Sequence, residues 1–265
     1  MTHEDPETMR LSKKRLKEMF DNAKAEIEEL GGREAFIKTG DWVLALIKKS
    51  FRNYFEKANI EYFRSKYSNG DNEYIASKLI SLSAKNASLL GGITGAAITA
   101  DEIIAIATGG EGGIGLPANI AIAVTALSAE AIVLIRIQLK LIAELAKLYE
   151  VPLDPEDPED ILIIFGYAVG GAAVEELGKL GVKIGGKLTE RSIKKYISNE
   201  VLAAFKSIGR KIGMKILQRS IIKYAVPLAS ISIGAGWNFA STKSVGAIGK
   251  KHMLGRYKDF TVQTI

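Results

Sequence analysis

The stretch NASLLGGITGAAITADEIIAIATGGEGGIGLPANIAIAVTALSA, residues 86–129, decides the fold expected of this 265-residue chain. It is apolar and rich in glycine and alanine, and its only three charges are Asp101, Glu102 and Glu111. A surface helix of a soluble domain normally keeps a polar face opposite its apolar stripe. The stretch therefore predicts a helical protein that either buries an apolar hairpin or inserts it into a membrane.

The two helices of this hairpin are expected at residues 89–108 and 117–149. The glycine-rich loop at residues 109–115 separates them, and Pro117 suits the first turn of the second helix. A phosphate-binding glycine loop follows a strand, and no strand pattern precedes this loop, so we interpret it as a flexible hairpin tip. The candidate site residues of the apolar hairpin are Ile98, Ile103, Ile120, Ile122 and Val124.

The rest of the chain also reads as helix, because strand-like alternation is nowhere sustained. Apolar stripes predict helices near residues 5–30, 41–67 and 189–225, and a third helix is expected to end near Leu90, before Gly91 and Gly92. The fold class is therefore all-α, a bundle of about eight or nine helices around the hairpin. We divide it into an N-terminal helical cap (1–80), a helical domain (81–258) and a frayed tail (259–265).

Charge is distributed unevenly along the chain. Residues 183–258 contain 16 lysines and arginines against two acidic residues, whereas the remainder contains 20 basic and 28 acidic residues. This asymmetry favours an anionic partner, although the two parts could instead neutralise each other within the fold. The adjoining apolar material favours lipid, and the lack of a DNA-binding motif disfavours nucleic acid. The candidate membrane-binding residues are Lys206, Arg210, Lys211, Lys215, Arg219 and Lys223.

Catalytic and metal-binding patterns are weak. The chain has no cysteine and only two histidines, His3 and His252, which excludes disulfides and thiolate sites. The five carboxylates of residues 154–160 lack the glycine bend of a calcium loop, so we interpret them as helix capping. Seven aromatic residues between positions 51 and 74 predict core packing first, then a headgroup interface, then base stacking. No metal and no cofactor are expected.

The chain resembles the EcsC protein family of bacteria. The matching segments are LLGGITGAAIT, GGIGLPANIAIAVTALSAEAIVLIRIQLKLIAELAKLYEV, DPEDPEDILIIFGYAVGG and YAVPLASISIGAGWNFASTKSVGAIGKKHM, which together span roughly residues 86–253. The resemblance implies an α-helical, membrane-associated protein, linked in the founding member of the family to an ABC transporter and secretion. It implies no active-site residue.

These observations favour a non-enzymatic protein that docks on anionic bacterial membranes, with a role in transport or secretion and a membrane protein as a further partner. The N-terminus has no apolar signal-like stretch, so we expect a cytoplasmic protein peripheral to the inner membrane. The composition of the hairpin also resembles that of colicin-type pore-forming domains, which makes a membrane-permeabilising effector the alternative. An enzyme with an unrecognised site is the third hypothesis.

Overall fold

The computed structural model describes residues 11–30, 41–99, 115–154, 161, 164 and 229–263. Six helices account for most of this part, and no strand occurs in it, so the all-α prediction is confirmed. Whether the bundle has eight or nine helices depends on residues outside these ranges. The helices are α1 (Lys13–Glu29), α2 (Asp41–Lys57), α3 (Ile60–Lys66), α4 (Asn72–Thr99), α5 (Gly115–Leu148) and α6 (Ala229–Gln263).

Helix α5 lies at the centre and packs against each of the other five helices. Ala126 and all residues from 128 to 133 are buried, so this portion of the apolar stretch lies inside the bundle. Between positions 128 and 149, only Leu134 and three basic residues are even partly exposed. A helix that is apolar on all sides is stabilised by neighbours on all sides, which explains its central position.

Helix α1 covers α5 with the apolar stripe that its sequence predicts. Ser12 caps the helix by accepting a hydrogen bond from the backbone N–H of Arg15 at 3.1 Å. The buried residues of the stripe recur every three or four positions. They are Leu16, Phe20, Ala23 and Ile27.

One carboxylate connects three helices. Glu26 of α1 accepts a hydrogen bond from Arg136 of α5 at 2.6 Å and pairs with Lys49 of α2 at 2.9 Å. The side chains of Glu26 and Arg136 are only 17% and 16% exposed, so solvent screens this pair less than a surface ion pair. The arrangement ties α1 and α2 to the central helix.

Three predicted helix boundaries are wrong. Helix α1, expected from about residue 5, begins at Lys13 because Ser12 caps it. Helix α4 continues through Gly91 and Gly92, where a break was expected, because Gly91 allows a close approach to the backbone of Gly234 in α6. The expected helix 41–67 is two helices, because Asn59 caps α3 by accepting a hydrogen bond from the backbone N–H of Tyr62 at 3.3 Å.

The predicted limits between the cap, the helical domain and the tail fall within helices. The division between residues 80 and 81 falls inside α4, and α6 continues through residue 263, where a frayed tail was expected. The second hairpin helix begins at Gly115, two residues before Pro117, and ends at Leu148. Helices α4 and α5 pack against each other, as hairpin partners should, whereas residues 100–114 lie outside the described part.

The C-terminal end of α5 is closed by a left-handed residue. Glu150 has a φ of 57°, and the backbone N–H of Val151 donates to the carbonyl of Ala146 at 2.9 Å. This is a Schellman-type end, usually formed with glycine at the left-handed position. Arg64 of α3 donates to the Glu150 carboxylate at 3.1 Å, which fixes the side chain of that non-glycine residue.

Candidate functional site

Helix α6 presents two different faces. Asn238, Thr242, Val245 and Met253 are at most 2% exposed and lie on the side that packs against α4 and α5. The opposite side of the helix is exposed, and its residues also recur at helical spacing. We call this side the outer face of α6; it consists of Gly236, Trp237, Ala240, Lys243, Ala247, Lys251 and Gly255.

Buried polar contacts fix the orientation of α6. The side-chain amide of Asn238 donates to the Glu130 carboxylate of α5 at 2.8 Å, and the two residues are 0% and 1% exposed. Two turns further along α5, the amide of Gln138 lies 3.2 Å from the Ser241 hydroxyl and 3.3 Å from the Thr242 hydroxyl. Buried polar groups need such partners, so rotating α6 about its axis would break both sets of bonds.

Close packing supports the same orientation. A Cβ atom on Gly91 would overlap the backbone of Gly234, so the glycines allow α4 and α6 to touch along their backbones. A Cβ atom on Gly246 would likewise overlap the side chain of Ile80. At the surface, Lys250 forms an ion pair with Glu73 of α4 at 2.6 Å. The packing of α6 on α4 and α5 therefore keeps the outer face directed away from these two helices.

The outer face combines an aromatic ring with positive charge. Trp237 is 41% exposed, and Lys243 and Lys251 are exposed beyond it along the helix. No aspartate or glutamate occurs between residues 229 and 258. Tryptophan is favoured at the headgroup level of membranes, and lysines there are attracted to anionic lipids. The surface therefore has the composition of a helix that lies on an anionic membrane.

The exposure of Trp237 was not anticipated. The uncharged run at residues 224–242 is long enough to span a bilayer, but its proline, serines, glycines and asparagine favour a buried helix. The burial of Asn238 and Thr242 fits that interpretation. Trp237 does not, because its position around the helix places it on the side away from α4 and α5. A helical projection of the sequence separates Trp237 from Asn238 by about 100°, but it does not indicate which side meets the bundle.

Most of the predicted site residues lie outside the described part. These are Lys206, Arg210, Lys211, Lys215, Arg219, Lys223 and Ile103. The other hairpin residues lie within described helices, Ile98 in α4 and Ile120, Ile122 and Val124 in α5, although their side chains are outside the description. The described end of the basic segment is α6, which adds Lys243 and Lys251 to the candidates.

The aromatic cluster packs into the core, as its first interpretation predicts. Phe51 and Phe63 are buried, and Phe51 lies 5.8 Å from the ring of Phe55. Tyr74 is 45% exposed, but its ring packs edge-on against Tyr67 at 5.7 Å. These rings stabilise the contact of α2 and α3 with α5, and they form no exposed row for stacking bases.

Within the described ranges, no group of three or more histidine, cysteine, aspartate or glutamate side chains could hold a metal ion. Among the same residues, no helix combines the length and the apolar character needed to cross a membrane. A scan against protein-family models, a search of curated proteins and a search of solved structures each returned no match.

Proposed function

We propose that the protein is a non-enzymatic helical bundle that docks on anionic membranes through the outer face of α6. The observation that carries the proposal is the exposed Trp237 on a face with Lys243 and Lys251 and no acidic residue. Each lysine near an anionic surface contributes about 1 kcal/mol, and the tryptophan favours the headgroup region. The EcsC resemblance favours membrane association linked to transport or secretion, and we propose that the protein is cytoplasmic and peripheral to the inner membrane.

The basic residues outside the described part belong to the same proposal. Residues 183–228 contain 11 lysines and arginines and precede α6 directly in the chain. We propose that they add to the electrostatic attraction. The six candidates among them are Lys206, Arg210, Lys211, Lys215, Arg219 and Lys223. A membrane protein partner would then meet a protein already concentrated at the lipid surface.

Vesicle sedimentation tests the docking proposal. Vesicles of phosphatidylcholine alone are compared with vesicles that also contain phosphatidylglycerol, at low and high salt. Binding should require the anionic lipid and weaken with salt, since salt screens exposed charges beyond about 8–10 Å. Replacing Lys243 and Lys251 together with glutamine should weaken binding by about 2 kcal/mol, roughly 30-fold.

The matched control removes two exposed lysines from another face. Lys14 and Lys17 are exposed on α1, so the double change to glutamine alters the net charge equally. If both double variants lose the same binding, net charge rather than the outer face is responsible. Equal binding of the natural chain to neutral and anionic vesicles would contradict the docking proposal altogether.

A second candidate function is a membrane-permeabilising effector. The observation that favours it is the central, apolar helix α5, whose buried residues are covered on all sides by the other helices. Pore-forming domains of the colicin type store an apolar hairpin in a similar way. Release of dye from anionic vesicles would support this candidate, whereas binding without release supports peripheral docking.

A charged substitution in the hairpin tests the pore directly. Changing Ile122, which lies in α5, to aspartate places a carboxylate at bilayer depth, at a cost of about 2.5–3.5 kcal/mol. Dye release should then disappear while the circular dichroism spectrum stays helical. Release that persists in a folded Ile122→Asp variant would rule out insertion of this helix.

A further inference from the structure

A cleft of about 280 Å³ lies between α1, α2, α4 and α5. None of its described lining residues belongs to α6, so the cleft is separate from the outer face. One wall is apolar and includes Met19, Leu82 and Ile137. This volume lies just below the range of about 300–1,000 Å³ that is typical of ligand pockets, so the cleft has room only for a small ligand.

Three basic side chains line the cleft. Arg136 and Lys140 lie one turn apart on α5, and Arg15 lies on α1. Lys140 is half-buried and makes no hydrogen bond or ion pair with any residue of the described ranges. The Lys140 ammonium group is therefore available to donate hydrogen bonds to an anion in the cleft.

The two arginines can still donate to a ligand. Arg15 pairs with Glu18 at 3.3 Å, but both side chains are about half exposed, so this pair is weak. Arg136 contacts Glu26 through one terminal nitrogen, and Glu26 is shared with Lys49. A guanidinium group has five N–H donors, so one contact leaves several available.

A neutral donor, the Tyr54 phenol, also lines the cleft. Burial raises the pKa of the Tyr54 phenol, and the charge of Glu26 raises it further, whereas the charges of Arg136 and Arg15 act against this shift. The phenol therefore stays protonated at neutral pH and can donate its hydrogen. Glu144 is the one carboxylate among the described residues that line the cleft; it is only 4% exposed and already has an interaction partner.

We propose that this cleft binds a phosphate monoester that carries a small apolar substituent. A phosphate monoester has a charge of about −1.5 to −2 at pH 7, which suits the three cations among the described residues that line the cleft. Arginine and lysine form strong, charge-assisted hydrogen bonds with its oxygens. The apolar wall of Met19, Leu82 and Ile137 would contact the substituent, so inorganic phosphate alone fills only part of the cleft.

Isothermal titration with three probes tests this ligand class. Phenyl phosphate should bind more tightly than inorganic phosphate, which lacks the substituent, and more tightly than benzoate, which carries a single charge. Replacing Lys140 with glutamine should weaken phenyl phosphate binding by about 10- to 100-fold. Replacing Lys85, which is exposed on α4 outside the cleft, should change nothing and serves as the matched control.

Several outcomes would overturn the proposal. Absence of phenyl phosphate binding, equal binding of benzoate, or equal binding of inorganic phosphate would each do so. Unchanged affinity in a folded Lys140→Gln variant would overturn it as well. If that variant does not fold, Arg15→Gln provides the second test, because the Arg15 side chain is 59% exposed and contributes little to the core.

Vesicles distinguish a lipid source of the phosphate from a soluble one. Phosphatidic acid is a phosphate monoester, so vesicles containing it are compared with phosphatidylglycerol vesicles of equal charge. A preference for phosphatidic acid that disappears with Lys140→Gln, but survives the Lys243 and Lys251 double change, indicates a lipid headgroup. Phenyl phosphate binding without such a preference indicates a soluble phosphate monoester. The separate variants keep failure of this site distinct from failure of membrane docking.

Discussion

Replacing Asn238 with aspartate should destabilise the fold by about 4 kcal/mol at pH 7 and by far less at acidic pH. The two side chains have nearly the same shape, so packing in the 0%-exposed position is preserved. The change replaces the amide that donates to Glu130 at 2.8 Å with a second carboxylate. Two buried carboxylates at this distance cannot both be ionised, so one of them takes up a proton.

The magnitude follows from the cost of this proton. A carboxyl with an ordinary pKa near 4 must be protonated about three pH units above that value, at about 1.36 kcal/mol per unit. The protonated pair can then replace the lost amide hydrogen bond with one between the two carboxyls. Because protonation is favoured in the folded state, the penalty shrinks by about 1.4 kcal/mol for each pH unit between 7 and 4.

Urea unfolding followed by circular dichroism, at several pH values between 4 and 7.5, measures this difference. The expected loss is a large part of the 5–15 kcal/mol that typically stabilises a domain, so the midpoint should move clearly. Asn53→Asp on the exposed surface of α2 is the control and should change stability by less than about 0.5 kcal/mol. A penalty below about 1 kcal/mol at pH 7, or one independent of pH, would refute the reasoning.

Four further substitutions test other parts of the fold. Burial raises the pKa of Glu26, but its basic partners outweigh this effect and hold the pKa below 4.5. The ionised Glu26 therefore stabilises the fold above pH 4.5, and this effect is lost in more acidic solution. Glu26→Gln should lower the free energy of unfolding at pH 7 by about 1 kcal/mol and make it depend less on pH in acidic solution. If the free energy of unfolding of the variant and of the natural chain fell in parallel with decreasing pH, the reasoning would be contradicted. Burial, then nearby acidic residues, raise the pKa of the Tyr149 phenol to about 12, and its hydroxyl has no hydrogen-bond partner among the described residues. Stability should therefore fall more steeply between about pH 10 and 12 in the natural chain than in Tyr149→Phe, which should be at least as stable at pH 7. Absorbance at alkaline pH and urea unfolding check both points, and a Tyr149→Phe loss above about 1 kcal/mol would be inconsistent with them. Gly91→Ala should destabilise the fold by about 1–3 kcal/mol, because the new methyl group overlaps the backbone of Gly234. Gly92→Ala meets open space and should stabilise α4 by about 0.5–1 kcal/mol. Thermal unfolding should therefore show Gly92→Ala to be the more stable variant, and the opposite result would contradict the close approach of α4 and α6.

The helical class of the fold and the buried side of α1 could be predicted from the sequence. The residues Leu16, Phe20, Ala23 and Ile27 are buried as their spacing predicts, because this spacing is set by the geometry of one helix. The burial of residues 128–133 follows from their composition, since exposing such an apolar surface to water is costly. Both inferences depend on local properties of the chain.

Local signals misled where a distant segment determined the outcome. Two adjacent glycines normally weaken a helix, so a break at Gly91 was expected, but contact with Gly234 stabilises the continuous helix. The link between Glu130 and Asn238 joins positions 108 residues apart, and no local pattern pairs them. Both contacts form only once α6 has packed on α4 and α5.

The same distinction between local sequence and helix packing applies to the two candidate sites. The sequence alone determined that the C-terminal part of the chain is basic and that the hairpin is apolar. The tertiary structure decided that Trp237 faces outward, and it brought Arg15, Tyr54 and Lys140 from three helices to one cleft. The physical reason is that composition sets which groups prefer water or an anion, whereas helix packing sets which side of each helix faces solvent or a neighbour.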